Sequence, residues 1–351
     1  MTLRVEGDQN QVMCSDGENE AGESVTIYDV AAEAGVAAST VSRTFSRPGR
    51  VSFSTAEKVR AAAERIGYRT EAVARASAAG GSATKTLGLV VADIANPVFI
   101  EMVRGAEYAA SQAGLTVVFS NARENGKREY EALNRALPTV DGLLLAGSRL
   151  PDTTIRTVAK QKAMVVMNRE VRGVASVVID QREGARTAAE HLASHGARSI
   201  AYLSGPERSW ADGMRWTGVR DAAAALGIEA RRLGPFLPTM TGGQRAAETW
   251  LGSRTDGVIA YNDLMALSFM QTVQIRGLEV PDDVGIVGFD DLLASRLTRP
   301  QLSTVVGPLE RMGATAAAHV MAIANGAQAT TDRPVVMPAR LIARGSSEPR
   351  P

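Results

Sequence analysis

Apolar residues recur at helical spacing through the twenties to the sixties of this chain. From Leu87 onward they regroup into short continuous runs separated by amphipathic stretches. In the first region Ile27, Val30, Ala31 and Ala34 fall on one face of a helix. Thr26 followed by Asp29 has the spacing of a capping box, and Gly35 supplies the left-handed residue that reverses the chain. Val36 plugs the turn. A second helix, over about 38–45, buries Val41 and Phe45 and leaves Ala38, Ser39, Ser42, Arg43 and Ser46 available outside. A third starts at Ser52 or Ser54 as cap, turns Val59, Ala62, Ala63 and Ile66 inward and closes at Gly67. Three short helices joined this tightly have the layout of a helix-turn-helix, whose second helix suits a major groove about 12 Å wide.

The second region alternates strand and helix. LGLVVA precedes a helix over about 97–113, then come TVVFS, a helix near 127–137, DGLLLAG, MVVM at 164–167 and SVVID at 176–180. A helix over 184–195, SIAYLSG at 199–205, a helix over 215–226, DGVIAYND at 256–263 and VGIVGFDD at 284–291 continue the series. Such runs predict parallel sheets covered on both faces. The βα units are too many for one sheet of ~150 residues, so two lobes are expected, dividing near residues 179–182. Ligands of open parallel sheets bind at the carboxyl ends of strands, which here hold Asp93, Asn96, Asn168, Arg169, Asn262, Asp263, Asp290 and Asp291.

Composition sharpens this outline. The net charge of +1 over 351 residues places any attraction to phosphates in one segment rather than in the whole molecule. Residues 24–80 carry eight basic and five acidic side chains, a local excess of cations. Residues 1–23 are instead acidic and aperiodic, with Glu6, Asp8, Asp16, Glu18, Glu20 and Glu23 against Arg4, and read as a disordered tail. The single cysteine, Cys14, lies in that tail, which fits a reducing cytoplasm. No stretch resembles a signal peptide, and no run approaches the ~18 apolar residues of a membrane span. The expected organisation is therefore a tail (1–23), a headpiece (24–68), a hinge and linker (69–85) ending in Gly80, Gly81 and a polar link, a core (86–346) and a short tail (347–351).

Taken together, TIYDVAAEAGVAASTVSR at 26–43, RVS at 50–52, GLVVADIANPVF at 88–99, VDGLLLAG at 140–147, GVIAYNDLMALS at 257–268 and VPDDVGIVGFDD at 280–291 resemble the lactose-repressor (LacI/GalR) family of bacterial transcription regulators. The resemblance implies an all-α helix-turn-helix headpiece and a two-lobed α/β core of the periplasmic-binding-protein type I fold. In that fold the chain crosses between lobes three times: lobe one holds about 86–180 and 307–335, lobe two about 181–306 and 336–346. It also implies a homodimer on pseudo-palindromic double-stranded DNA, with base-reading positions at Ala38, Ser39 and Arg43. Positions for phosphates or the groove edge fall at Thr26, Tyr28, Thr40, Ser42, Ser46 and Arg50. Ligand positions carry over to Arg215, Asn262 and Asp290, with Phe99, Asn168, Ser209 and Trp210 as wall; an arginine fork beside acceptor side chains suits a sugar-like effector. Two departures stand out. Ala37 replaces the usual serine before the recognition helix, and Ser77, after Arg75 in the hinge, replaces the leucine that wedges into the minor groove, so a strong central kink is not expected.

The alternatives are a cytosolic solute-binding protein and an α/β enzyme. His191 and His195 have metal-ligand spacing, but the HLASH between and around them lacks the glutamate of a zinc hydrolase and no third ligand is evident. No nucleophile elbow, P-loop or dinucleotide fingerprint appears, so neither catalysis, a metal nor a cofactor is expected.

Overall fold

The computed structural model describes residues 26–46, 51–66 and 84–348. The acidic tail with Cys14, Arg50, and the hinge residues Arg75 and Ser77 lie outside the described residues. The headpiece comprises α1 (Ile27–Ala34), α2 (Ala38–Ser46) and α3 (Phe53–Arg65). At the start of α1 the Asp29 carboxylate accepts from both the amide and the hydroxyl of Thr26, each at 2.7 Å, which holds its pKa below the usual carboxylate range. Gly35 adopts φ +64, and the Val36 N–H reaches the Ala31 carbonyl at 3.0 Å, closing the helix as the turn requires. Val30, Val41, Val59 and Ala62 are fully buried where the three helices meet.

The core is two six-stranded sheets. The first takes β1 (Thr86–Val91), β2 (Thr116–Asn121), β3 (Gly142–Ala146), β4 (Ala163–Met167) and β5 (Ser176–Ile179), completed by β11 (Val335–Met337). Its order is β11-β5-β4-β3-β1-β2, with every pair parallel. The second takes β6 (Ser199–Leu203), β7 (Glu229–Leu233), β8 (Gly257–Ala260), β9 (Gly285–Phe289), β10 (Ser303–Val306) and β12 (Arg340–Ile342), in the order β12-β10-β9-β8-β6-β7. Only β12 runs antiparallel. The central strands are buried along almost their whole length, the property that their unbroken apolar runs encode.

Helices cover both sheets. In the first lobe these are α4 (Val98–Gln112), α5 (Gly126–Ala136) and α6 (Asp152–Ala159); in the second, α7 (Gln181–Ser194), α8 (Trp210–Leu226), α9 (Met240–Leu251) and α10 (Asp263–Ile275). The last helix, α11 (Leu309–Ala324), packs back on the first lobe, where Leu309, Met312, Ala316 and Val320 join the core of β1, β3 and β4. It does so at backbone contact distance: a Cβ on Gly105 of α4 would lie 1.7 Å from the Glu310 carbonyl oxygen, and one on Gly313 would lie 1.9 Å from that of Met102. No side chain fits at that crossing.

The return strand β11 extends to Met337, past the boundary of 335 expected for the first lobe. Ser347, expected in a free tail, is buried, bonding the Ser303 hydroxyl at 2.6 Å and His191 Nε2 at 2.7 Å. A short polar side chain can be drawn into the sheet when such partners await it, a pairing that chain position alone does not reveal. Helix α8 starts at Trp210 rather than near Arg215, because the Ser209 hydroxyl caps it by accepting from the Asp212 amide at 3.3 Å. No described helix is long and apolar enough to cross a membrane.

In each lobe one aspartate ties a strand to its neighbour. Asp141, before β3, accepts from the Thr84 and Thr86 amides at 3.0 and 3.3 Å; Asp256, before β8, accepts from the Arg198 and Ser199 amides at 2.8 and 2.9 Å. These hydrogen bonds keep the Asp256 pKa low despite partial burial. This is the physical content of the repeated Asp-Gly that opens both strands.

Two substitutions test these packing arguments. Gly313→Ala is expected to force α4 and α11 apart and lower stability by about 1–3 kcal/mol, read as a lower urea midpoint; an unchanged midpoint would show that the helices do not cross at this distance. Ala37→Ser restores a cap to α2 and should add about 1 kcal/mol, seen as slower amide exchange at Val41.

Candidate functional site

The headpiece presents α2. Ser39, Ser42 and Arg43 are exposed on it, Tyr28 is 70% exposed on α1, and Thr26 is exposed at the start of α1. Thr40 is half-buried, and its carbonyl accepts the Thr44 hydroxyl at 2.8 Å. Ala38, expected outside, is instead half-buried against the headpiece core, because it shares the i, i+3, i+7 stripe with Val41 and Phe45. What the helix offers a groove is therefore hydroxyls and one guanidinium. Arg43 is the long donor fork on that face, suited to the two acceptors of a guanine edge. Ser46 is the last residue of α2.

The second candidate site lies where the lobes meet. Arg215, on α8, is 5% exposed; its guanidinium lies 3.9 Å from the centroid of Phe289 and 5.1 Å from that of Tyr261. Its Nε donates to Gln181 at 2.8 Å, another of its nitrogens donates to the Tyr261 carbonyl, and Asp290 Oδ1 lies 4.0 Å away. Asp290, at the end of β9, holds φ +114, a conformation unusual for a side-chain-bearing residue. Burial pushes its carboxyl up to about 8, against the pull of Arg215 and a hydrogen bond from Asn96. Gln181 in turn donates to the Asn168 side-chain Oδ1 at 2.8 Å; Asn168, at the end of β4, also has positive φ.

Asn168, Arg215 and Asp290 thus come together, around a gap of only about 10 Å³. The other expected wall residues sit apart from that gap. Phe99 is buried in the first-lobe core, and Ser209 caps α8 while bonding the Tyr261 hydroxyl at 3.0 Å. Trp210 is the half-buried first residue of α8. Asn262 is fully buried, accepting from the Met265 amide and donating to the Pro238 carbonyl at 3.0 and 3.2 Å, so its amide positions a helix.

A larger cleft of about 430 Å³ opens between the lobes, with Glu124, Gly126 and Arg149 on one side and residues around Arg208, Phe236 and Arg245 on the other. Arg149 faces the Tyr261 side chain across it, close enough for the two to interact electrostatically. Sequence reading missed Gln181, Tyr261 and Arg149. Only Gln181 carried a signal, since it falls at the expected division between lobes.

The loop after β9 is set by Asp263, fully buried at the start of α10. Its carboxylate accepts from the Leu292 amide and the hydroxyls of Ser295 and Thr304 at 2.9, 2.6 and 2.7 Å, although burial still pushes its pKa up to about 6. The His191 and His195 rings lie with centroids 4.4 Å apart, tilted 50° to each other, and among the described residues no group of three or more His, Cys, Asp or Glu side chains is placed to hold a metal ion.

Comparison with known proteins agrees with this division of labour. Residues 26–71 match the family described as "Bacterial regulatory proteins, lacI family", and residues 189–347 match a "Periplasmic binding protein-like domain". The HTH-type transcriptional regulator GalR of Escherichia coli (strain K12) is 34% identical over 308 residues, covering 86% of this chain and 89% of that protein. Catabolite control protein A of Priestia megaterium is 34% identical over 303 residues, covering 83% and 90%. Among solved structures, the lac repressor dimer bound to operator and the anti-inducer ONPF superposes with a TM-score of 0.69 at 26% identity, covering 93% of this chain and 100% of that one. The transcriptional regulator CelR in complex with cellobiose gives a TM-score of 0.69 at 28% identity, covering 92% and 99%. These relatives are regulators rather than enzymes, and they share both the headpiece and the two-sheet core. The chain belongs to the lacI family of bacterial regulatory proteins, DNA-binding transcriptional regulators that join a helix-turn-helix to a periplasmic-binding-protein-like core.

Proposed function

We propose that this protein is a cytoplasmic repressor whose hold on a pseudo-palindromic operator is set by a sugar-like effector bound between the core lobes. The observation that carries the reading is the exposed Ser39, Ser42 and Arg43 face on a helix whose opposite face is buried in its own headpiece. Arg43 reads a base, while Thr26, Tyr28, Thr40, Ser42, Ser46 and Arg50 hold phosphates or the groove edge, adding affinity without sequence information. Ser39 faces the base edges beside Arg43, while Ala38, turned toward the headpiece core, leaves that part of the reading to its neighbours.

A homodimer places two such helices about 34–36 Å apart, one helical turn of DNA. Its support is the apolar surface left uncovered on both lobes: Tyr108 on α4 with Val118 and Phe119 on the edge strand β2, and Ile275, Leu293 and Leu297 on the second lobe. An effector entering between the lobes competes with the polar contacts that now face each other there, among them Arg149 with Tyr261 and Asn96 with Asp290. It shifts the operator-binding population only by its differential affinity for the two arrangements. Arg215, Asp290 and Asn168 form the polar centre of that response, and Asn262, Phe99, Ser209 and Trp210 support the elements that position it. Arg75 and Ser77 connect it to the headpiece, and the small Ser77 side chain argues for a hinge that bends DNA little.

Arg43→Ala should remove about 1–3 kcal/mol of discrimination between operator and mutated operator in gel-shift titrations, while leaving effector binding intact; parallel loss of both would contradict separate modules. Asp290→Ala should abolish the effector's influence on operator affinity and spare DNA binding without effector. An unchanged dose–response curve would remove Asp290 from the effector site.

A further inference from the structure

The space around Arg215 and Asp290 is too small for a sugar, holding at most about one water. Room for a ligand lies instead in the 430 Å³ cleft, a volume within the range of small-molecule sites. The side chains lining that cleft decide what it can hold.

Arg149 is spent. Its guanidinium donates to both Glu124 oxygens at 2.7 and 3.0 Å and to the Gly147 carbonyl at 2.9 Å, so the first-lobe wall is a closed and neutral pair. On the second-lobe wall Arg208 and Arg245 are exposed, and neither has an ion-pair or hydrogen-bond partner among the described residues. One carboxylate, Glu207, stands on the same wall. Two free donor forks against one free acceptor group leave the cleft short of acceptors. A neutral sugar offers hydroxyls that ask for both roles; a ligand rich in anionic oxygens supplies the role that is missing.

Backbone placement adds to the same sign. Gly126 is the first residue of α5, Thr241 and Gly242 belong to the first turn of α9, and residues 206–208 lead directly into the start of α8. Two helices, of 11 and 12 residues, therefore place their positive ends at the cavity wall, and a third begins just behind it. Beside the arginines, Phe236 gives an aromatic wall, and its amide is held by the Ser204 carbonyl at 3.0 Å. An aromatic face suits the C–H side of a pyranose ring, with the charged group directed at the guanidinium forks.

We infer that the effector is a polyhydroxylated anion, a phosphorylated or carboxylated sugar, whose charged group is gripped by Arg208 and Arg245. The inference rests on the reading of the interlobe cleft as the effector site. Unpaired arginines are common on protein surfaces; these two are distinguished by flanking one cavity that the other lobe closes.

The test is calorimetric titration of the full-length protein with matched probes: glucose and galactose, their 6-phosphates, and glucuronate and galacturonate, with inorganic phosphate as the anion without a sugar. At least one sugar anion should bind about tenfold or more tightly than its neutral parent, with an advantage that shrinks as salt rises. Whether phosphates or uronates lead identifies the charged group. The double substitution Arg208→Gln with Arg245→Gln should erase that advantage, with no change in melting temperature or in operator binding without ligand. Neutral parents binding as tightly as the anions, phosphate alone accounting for the binding, or an advantage that survives the double substitution would overturn the anion assignment while leaving the cleft as the effector site. Failure of every sugar, neutral and anionic, to bind the unaltered protein would overturn both.

Discussion

Three crossings of the chain between the sheets, at residues 179–181, 306–309 and 337–340, are the constraint on which the rest of the molecule depends. They join the edge regions of both sheets, since β5 and β11 lie side by side in one and β10 and β12 in the other. Two lobes linked this way can change their separation at the far side of the cleft while the linked side stays in place. The third crossing exists because α11 is held on the first lobe by backbone contact at Gly105 and Gly313. Packing at one face of the first lobe is thus what makes a clamshell of the whole core.

At the linked side sits a buried charge that does little for stability. Desolvating the Arg215 guanidinium is costly, and Asp290, at 4.0 Å and pushed toward its neutral form, compensates only in part. The remainder comes from Gln181, the Tyr261 carbonyl and the Phe289 ring. The positive φ of Asp290 and Asn168 adds backbone strain at the same point. An apolar replacement of similar volume would pack more cheaply, so the retention of polar groups here fits a site that exchanges partners with a ligand.

The parts that could be read from the sequence were those with one strong local cause. Val41 and Phe45 on one stripe, Gly35 in its turn and Thr26 with Asp29 define the headpiece locally, and unbroken runs such as LGLVV and GLLLA define buried parallel strands. Ala38 was misplaced because its spacing to Val41 and Phe45 puts it on the edge of the buried stripe. The start of α8 escaped because the cap Ser209 lies in a polar stretch without periodicity, although Asp212 three residues later is the matching signal. The return of about 307–335 to the first lobe followed from family resemblance alone, since a strand as short as VVM has no period to read. The cleft wall was the least legible part. Arg149 faces Tyr261 across 112 residues of chain and Gln181 meets Arg215 across 34, and no spacing rule links them.

The paired aspartates at the entrances of β3 and β8 bear on how a signal travels. Each lobe is stapled by its own carboxylate at the base of its central strands, the end opposite the carboxyl edge that carries Asn168 and Asp290. With both bases stiffened, a push at the rim has no soft interior in which to dissipate. Two stiff halves joined along one edge can turn only about that edge, and any such turn displaces the periphery most.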